Sequence, residues 1–228
     1  MMKALVTLAG LALVAQPATF AATPKKKSAP KAAAKTEPLA PLTLSAQRVA
    51  DWVAESADNR ALPYIIIDKP TATLFLFDGK GKQLGNAPVL IGIAMGDDAT
   101  PGIGAKSLAE IGPAEKTTPA GRFLARFGRA AGNTKVLWVD YATSVALHTI
   151  PPGNPKDKRR ERMLSPTPDD NRITFGCINV PKAIYSGKIA PMFGKKGGYV
   201  YILPDTKPLE AAFPPLHARP AAQQSLTK

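Results

Sequence analysis

Residues 64–93 read YIIIDKPTATLFLFDGKGKQLGNAPVLIGI, and this stretch decides the fold class. Tyr64-Ile65-Ile66-Ile67 is a continuous apolar run, Lys69-Pro70-Thr71 is a turn, and residues 72–77 form a second run rich in Leu and Phe. Asp78-Gly79-Lys80-Gly81 turns the chain again ahead of a third run at 87–93. Short β-prone runs bounded by Gly, Pro and Asp predict strands. Outward from this stretch, further strands are expected at 122–127, 136–141, 145–150 and 199–203. Their close spacing, with no long helices alternating between them, predicts a mainly β, mainly antiparallel sandwich or barrel with a few short helices. On the N-terminal side, Ser45 can cap a short helix in which Val49, Trp52 and Val53 share a face. Residues 97–116 and 151–171 fit no element, and loops of that length are usually functional or mobile.

The 228 residues carry 30 Lys+Arg against 17 Asp+Glu, a net charge of +13, and 45% are hydrophobic, enough to build a core. One cysteine excludes an intrachain disulfide, and two histidines with that cysteine exclude a zinc finger. The basic cluster Lys25, Lys26, Lys27, Lys31 and Lys35 has no interleaved aromatic, so nucleic acid is not the expected partner. Met1-Met2-Lys3, an apolar stretch to Ala15 and the small-x-small Thr19-Phe20-Ala21 together read as an export signal. The expected organisation is therefore a signal over 1–21, a Lys/Ala/Pro-rich tether over 22–43 and an N-terminal helical segment over 44–62. A mainly β domain over 63–205 and a Pro-rich tail over 206–228 follow. No apolar run reaches the ~20 residues of a membrane helix, so no integral span is expected after signal removal, and the expected location is the periplasm or cell envelope.

The chemistry starts from Cys177. A lone cysteine in an exported chain is an inert buried residue, paired between chains, or a used one. Its surroundings, Thr174-Phe175-Gly176-Cys177-Ile178-Asn179-Val180-Pro181, put a glycine before the thiol and a helix-start signal after it, with Asn179 or Val180 at the cap. Such a helix N-terminus would favour thiolate, so a lowered thiol pKa is expected. A thiol nucleophile needs a general base, and the two histidines offer His148, on an expected strand, or His217, in the Pro-rich tail. Asp140, on the preceding strand, could orient the His148 ring.

These residues resemble the signature of the L,D-transpeptidase (YkuD-type) catalytic domain of bacterial cell-wall enzymes. The match is His148, then Thr174-Phe175-Gly176-Cys177-Ile178-Asn179. Upstream, Thr118-Pro119-Ala120-Gly121-Arg122-Phe123 resembles the family's Thr-Pro-x-Gly-x-Phe segment, with Pro119 and Gly121 placed as in a type I turn. The spacer from His148 to Cys177 is 29 positions, longer than the family's usual one, and Phe175 stands where many relatives carry histidine or arginine.

The resemblance implies a peptidoglycan tetrapeptide stem as acyl donor and an amine as acceptor, with Cys177 as nucleophile and His148 as general base and acid. It further implies oxyanion donors at Gly176 and Cys177, support from Thr174 and Asn179, and no metal or organic cofactor. Carbapenem-type inhibitors should acylate the same thiol. Phe175, Arg172, Arg159 and Arg160 are candidate substrate contacts, and residues 151–172 are expected to form a mobile basic lid. Two alternatives share the sequence: a carboxypeptidase or endopeptidase using water as acceptor, and a non-catalytic wall-binding module.

Overall fold

The computed structural model describes residues 39–218, so the expected export signal, residues 22–38 of the expected tether and the last ten residues of the tail lie outside the described residues. Helix α1 spans Leu44–Ser56 and buries Ala46, Val49, Trp52 and Val53. Its cap is Thr43, two residues before the expected Ser45. The Thr43 hydroxyl accepts from Ala46 N at 3.1 Å and donates to Asp68 Oδ2 at 2.5 Å, fixing the helix to the first strand. Ala40 N in turn donates to Asn86 Oδ1 at 2.9 Å, so residues 39–43, expected in the tether, already pack on the domain.

Ten strands follow: β1 Tyr64–Asp68, β2 Thr73–Phe77, β3 Gln83–Pro88, β4 Ile91–Gly92, β5 Gly121–Arg129, β6 Lys135–Asp140, β7 Val145–Thr149, β8 Arg172–Thr174, β9 Ile178–Val180 and β10 Gly198–Ile202. Eight form one sheet in the order β3-β2-β1-β10-β5-β6-β7-β9, and β4 pairs with β8. The protein is mainly β. Most pairs are antiparallel as expected, but β1–β10, β4–β8 and β7–β9 are parallel. The third expected strand begins earlier, at Gln83, and breaks at Pro88, whose missing N–H cannot continue the ladder. Beyond it Leu90 exchanges both backbone bonds with Asn179 at 2.9 Å, so the segment after β3 meets β9 and the two ends of the sheet close on each other.

The unbroken apolar runs have a physical reason: the central strands are covered on both faces. Ile65, Ile67, Leu74, Leu76, Val200 and Ile202 point into the enclosed core. Tyr64, Ile66, Phe75, Phe77, Tyr199 and Tyr201 point outward, against α1 and the C-terminal segment. The helical stretch 182–193 (α3 Lys182–Ile184, a π-turn Tyr185–Ile189, α4 Ala190–Phe193) adds Ile184, Ile189 and Phe193 to the enclosed core. Helix α5 Leu209–Ala212 and the 3-10 turn Pro214–Ala218 bury Leu209, Phe213 and Leu216 in the outer one. Here α2 denotes Arg159–Met163, inside the second long loop. The Pro-rich tail is therefore folded as far as Ala218.

Both long loops contain structure as well. Residues 97–116 form three 3-10 turns, Ile103–Ala105, Leu108–Glu110 and Pro113–Glu115. Residues 151–172 hold a 3-10 turn Pro155–Asp157, α2 and a 3-10 turn Pro168–Asn171. This second loop is pinned rather than draped over the surface. Met163 is buried, Asn171 Nδ2 donates to Val89 O at 2.8 Å, and Arg162 donates to Arg172 O at 3.2 Å. A lid that swings as one piece would have to break the Asn171 bond and expose Met163.

Candidate active site

The turn between β8 and β9 presents the thiol. Thr174 Oγ1 donates to Cys177 O at 2.6 Å and accepts from Gly176 N at 3.1 Å, closing the turn from within. From behind, Thr118 Oγ1 donates to Gly176 O at 2.9 Å while accepting from Gly92 N at 2.8 Å. Gly176 has φ +118°, and a Cβ there would lie 2.6 Å from Thr117 O, so both conformation and space demand glycine. Two expectations change at this turn. The Gly176 N–H is already spent on Thr174, so it is not a free oxyanion donor. The helix also starts later than expected: Ile178 and Val180 fill the enclosed core, β9 forms, and α3 begins only after Pro181. The thiol therefore does not sit at a helix N-terminus.

Strands β7 and β9 run parallel with Leu147 opposite Ile178 and His148 opposite Asn179. Leu147 and Ile178 face the core, which puts His148, Asn179 and Cys177 on the opposite face. Cys177 is partly buried, and its Sγ is directed at Ser144 O, 3.6 Å away. Burial pushes the thiol pKa up, against the lowered value expected from sequence, and a hydrogen bond from the Ala146 backbone only partly offsets it. The His148 ring places Nδ1 2.7 Å from Thr149 O and Nε2 3.5 Å from Asn179 Nδ2. A carbonyl only accepts, so Nδ1 carries the proton and Nε2 holds the lone pair. Burial lowers the His148 pKa, the Thr149 carbonyl opposes that, and the nearby Arg159 charge reinforces it. No hydrogen bond joins thiol and imidazole; they share a face, two residues apart in register.

The other candidates divide. Asn179 is buried and bonded to His148. Arg159 is half-buried, paired with Asp157 at 3.2 Å and donating to Asn179 Oδ1 at 3.1 Å, so it is held by the protein itself. Arg160 is exposed and, with Ile150, Pro151, Lys158 and Arg159, lines a cavity of about 280 Å³ at the end of β7. Arg172 is committed elsewhere, 2.6 Å from Asp205 Oδ1. Phe175 is 37% exposed, with the Lys116 ammonium 3.8 Å from its ring centroid. Asp140 caps its own turn, accepting from Ala142 N and Thr143 Oγ1, and does not reach His148. His217 is exposed on the C-terminal 3-10 turn.

Residues that the sequence did not single out complete the support. Lys69 is fully buried, and its ammonium reaches Asp97 Oδ1 at 2.9 Å, Asp205 Oδ2 at 3.3 Å and Thr118 O at 2.9 Å. The Thr118 carbonyl is thus taken by Lys69 instead of closing the expected turn with Gly121, which joins β5. Asp97 also accepts from the backbones of Asp205, Thr206 and Lys207. Although burial raises its pKa, these bonds and the Lys69 ammonium hold the carboxyl well below the usual carboxylate range. A lysine beside a turn is ordinarily solvated, so nothing local in the sequence marks this cluster.

No protein-family model matches the chain, and no curated protein matches it. Among solved structures, it is similar to the NMR structure of the catalytic domain of an L,D-transpeptidase from E. faecium, at 18% identity and a TM-score of 0.36, covering 61% of this chain and 95% of that one. A crystal structure of an L,D-transpeptidase from Stackebrandtia nassauensis matches at 16% identity and a TM-score of 0.38, covering 71% and 65%. A third, from Xylanimonas cellulosilytica, matches at 14% and 0.37, covering 62% and 60%. Among the described residues, no helix is long and apolar enough to cross a membrane.

Proposed function

We propose that the protein is an exported peptidoglycan L,D-transpeptidase that transfers an acyl group through a Cys177 thioester. The observation that carries this reading is the placement of the sole cysteine and a strand histidine on one face of neighbouring parallel strands, with the histidine's Nδ1 2.7 Å from the Thr149 carbonyl, which leaves Nε2 as the basic nitrogen. The sequence motif around Cys177 supplies the substrate class. Because burial keeps the thiol protonated and the imidazole neutral, the pair does not start as thiolate and imidazolium. The thiol turns from Ser144 O toward His148 Nε2 as the stem's carbonyl arrives, and the proton leaves sulfur as the C–S bond forms. His148 then gives that proton to the departing D-Ala amine. The N–H of Cys177 serves the oxyanion, since that of Gly176 is occupied. Lys116, standing over Phe175 beside the nucleophile, suits a stem that carries carboxylates. An acceptor amine resolves the thioester, with its proton taken by His148.

The experiment is to incubate the purified protein with disaccharide tetrapeptide and follow products by mass. Cross-linked dimer with D-Ala release supports transpeptidation. Tripeptide alone indicates water as acceptor, and an unchanged substrate with wall binding retained overturns the enzyme reading.

A further inference from the structure

We propose that Arg159, carried by the long insertion between the two motif segments, is a positioning residue that locks the Asn179 amide and through it the tautomer of His148. The inference rests on the reading of His148 as the base. A guanidinium has only donors, so the amide edge facing it must be oxygen, and the Arg159 to Asn179 Oδ1 contact is 3.1 Å. The NH2 edge of Asn179 is then forced toward His148 Nε2, at 3.5 Å. An NH2 group can only be received by a nitrogen lone pair. Hence the ring keeps its proton on Nδ1, where Thr149 O accepts it at 2.7 Å, and exposes at Nε2 the lone pair that a thiol proton needs. The Asn179 contact is long, so the thiol can displace it.

Without Arg159 the amide is free to rotate by half a turn. Its oxygen would then face the ring and favour Nε2–H or the imidazolium, neither of which can take a proton there. The insertion is built to hold this clamp. Asp157 pairs with Arg159 Nε at 3.2 Å and leaves the outer nitrogen for Asn179, and Met163, at the end of the same short helix, is buried. Among the described residues, the charge that acts on the ring is Arg159, itself paired with Asp157, and the titratable Cys177 lies two register positions away on the same face. The positive charge of Arg159 also opposes protonation of the ring, which adds to the effect of burial.

The test is nitrogen-15 NMR titration of the imidazoles in the full-length protein, with His217→Ala used to assign His148. In Arg159→Ala the His148 midpoint should rise by about half a pH unit or more, and its nitrogen shifts should move away from the Nδ1–H pattern toward a mixture. Arg159→Met, which keeps much of the stem but has neither charge nor donor, should raise the midpoint and lose the tautomer signature as alanine does. The second variant also gives the readout if the alanine change impairs folding. Acylation at neutral pH should fall about tenfold in Arg159→Ala, small against the ~100-fold or more for removing the base itself. Unchanged His148 midpoint and nitrogen shifts in Arg159→Ala or Arg159→Met overturn the clamp. The NMR readout needs no substrate. A wild type that never forms a thioester, yet shows the Arg159 effect, supports the clamp and overturns the transpeptidase reading instead.

Discussion

Two polar clusters hold the turn that carries Cys177, and they are built on opposite terms. Behind it, Lys69, Asp97, Asp205 and Arg172 form a buried, charge-balanced set whose groups are bonded to one another and to backbone. In front, Cys177 and His148 share a face without bonding each other, and their contacts to Ser144 O and Asn179 are long enough to be exchanged for substrate. The first cluster has spent its hydrogen bonds on structure and is expected to be rigid. The second keeps a thiol proton and a nitrogen lone pair in reserve, as reactive groups must.

That contrast can be broken by substitutions whose effects fall on different observables. Cys177→Ala should remove turnover on the order of a million-fold, as deletion of a nucleophile does, while leaving stability within ~1 kcal/mol. A carbapenem should add one drug mass to the wild type and none to this variant. If Cys177→Ala unfolds the protein and the native thiol takes no drug, the cysteine belongs to the structural cluster and the comparison collapses.

Lys69→Met should do the reverse. Leaving Asp97 and Asp205 buried without their cation should lower unfolding free energy by about 3–5 kcal/mol in urea, a typical cost for breaking a buried pair. The loss should be smaller when Asp97→Asn is already present, because the two residues share one interaction. Thr118→Val sits between the clusters. It removes the hydroxyl that bridges Gly92 and Gly176, and should cost about 1–3 kcal/mol for the groups left unpaired, with reduced turnover as the turn loosens.

The pH dependences sharpen the same contrast. Asp97 has a depressed folded-state pKa, so its contribution is complete above the ordinary carboxylate value of ~3.9 and is lost as pH falls through its lower folded value. Acid unfolding of the wild type should therefore steepen below pH ~4, and Asp97→Asn should flatten it. Smallest in effect, the Cys177 thiol should alkylate with a midpoint above the ~8.5 of a free cysteine, because burial raises it. A midpoint near neutrality would restore the lowered thiol pKa that the sequence had suggested. His217→Ala should leave rate and midpoint unchanged.

β1, β2 and β10 were legible because they are covered on both faces, which writes them as apolar runs, and β5, β6 and β7 also fall within a few residues of their expected places. The short strands β8 and β9 were not, since three residues give no periodicity and the Pro181 signal drew the helix start toward the thiol. Nor was the packing of the C-terminal segment, where prolines mask the spacing of Leu209, Phe213 and Leu216.

The site divides the same way. By itself the sequence determined which atoms are available: one thiol, two imidazoles, a glycine before the thiol, and a motif order from which the pairing of Cys177 with His148 is proposed. Tertiary structure decided how those atoms are held. The parallel register of β7 and β9 put His148 beside Asn179. The insertion delivered Arg159 to that amide, and a lysine 108 positions before the cysteine became the buried anchor of its turn. Residue identity fixes which protons can move, but hydrogen-bond partners, burial and the direction of each lone pair come from chain segments far apart in sequence. Only the folded chain brings them within 3 or 4 Å, where such interactions act.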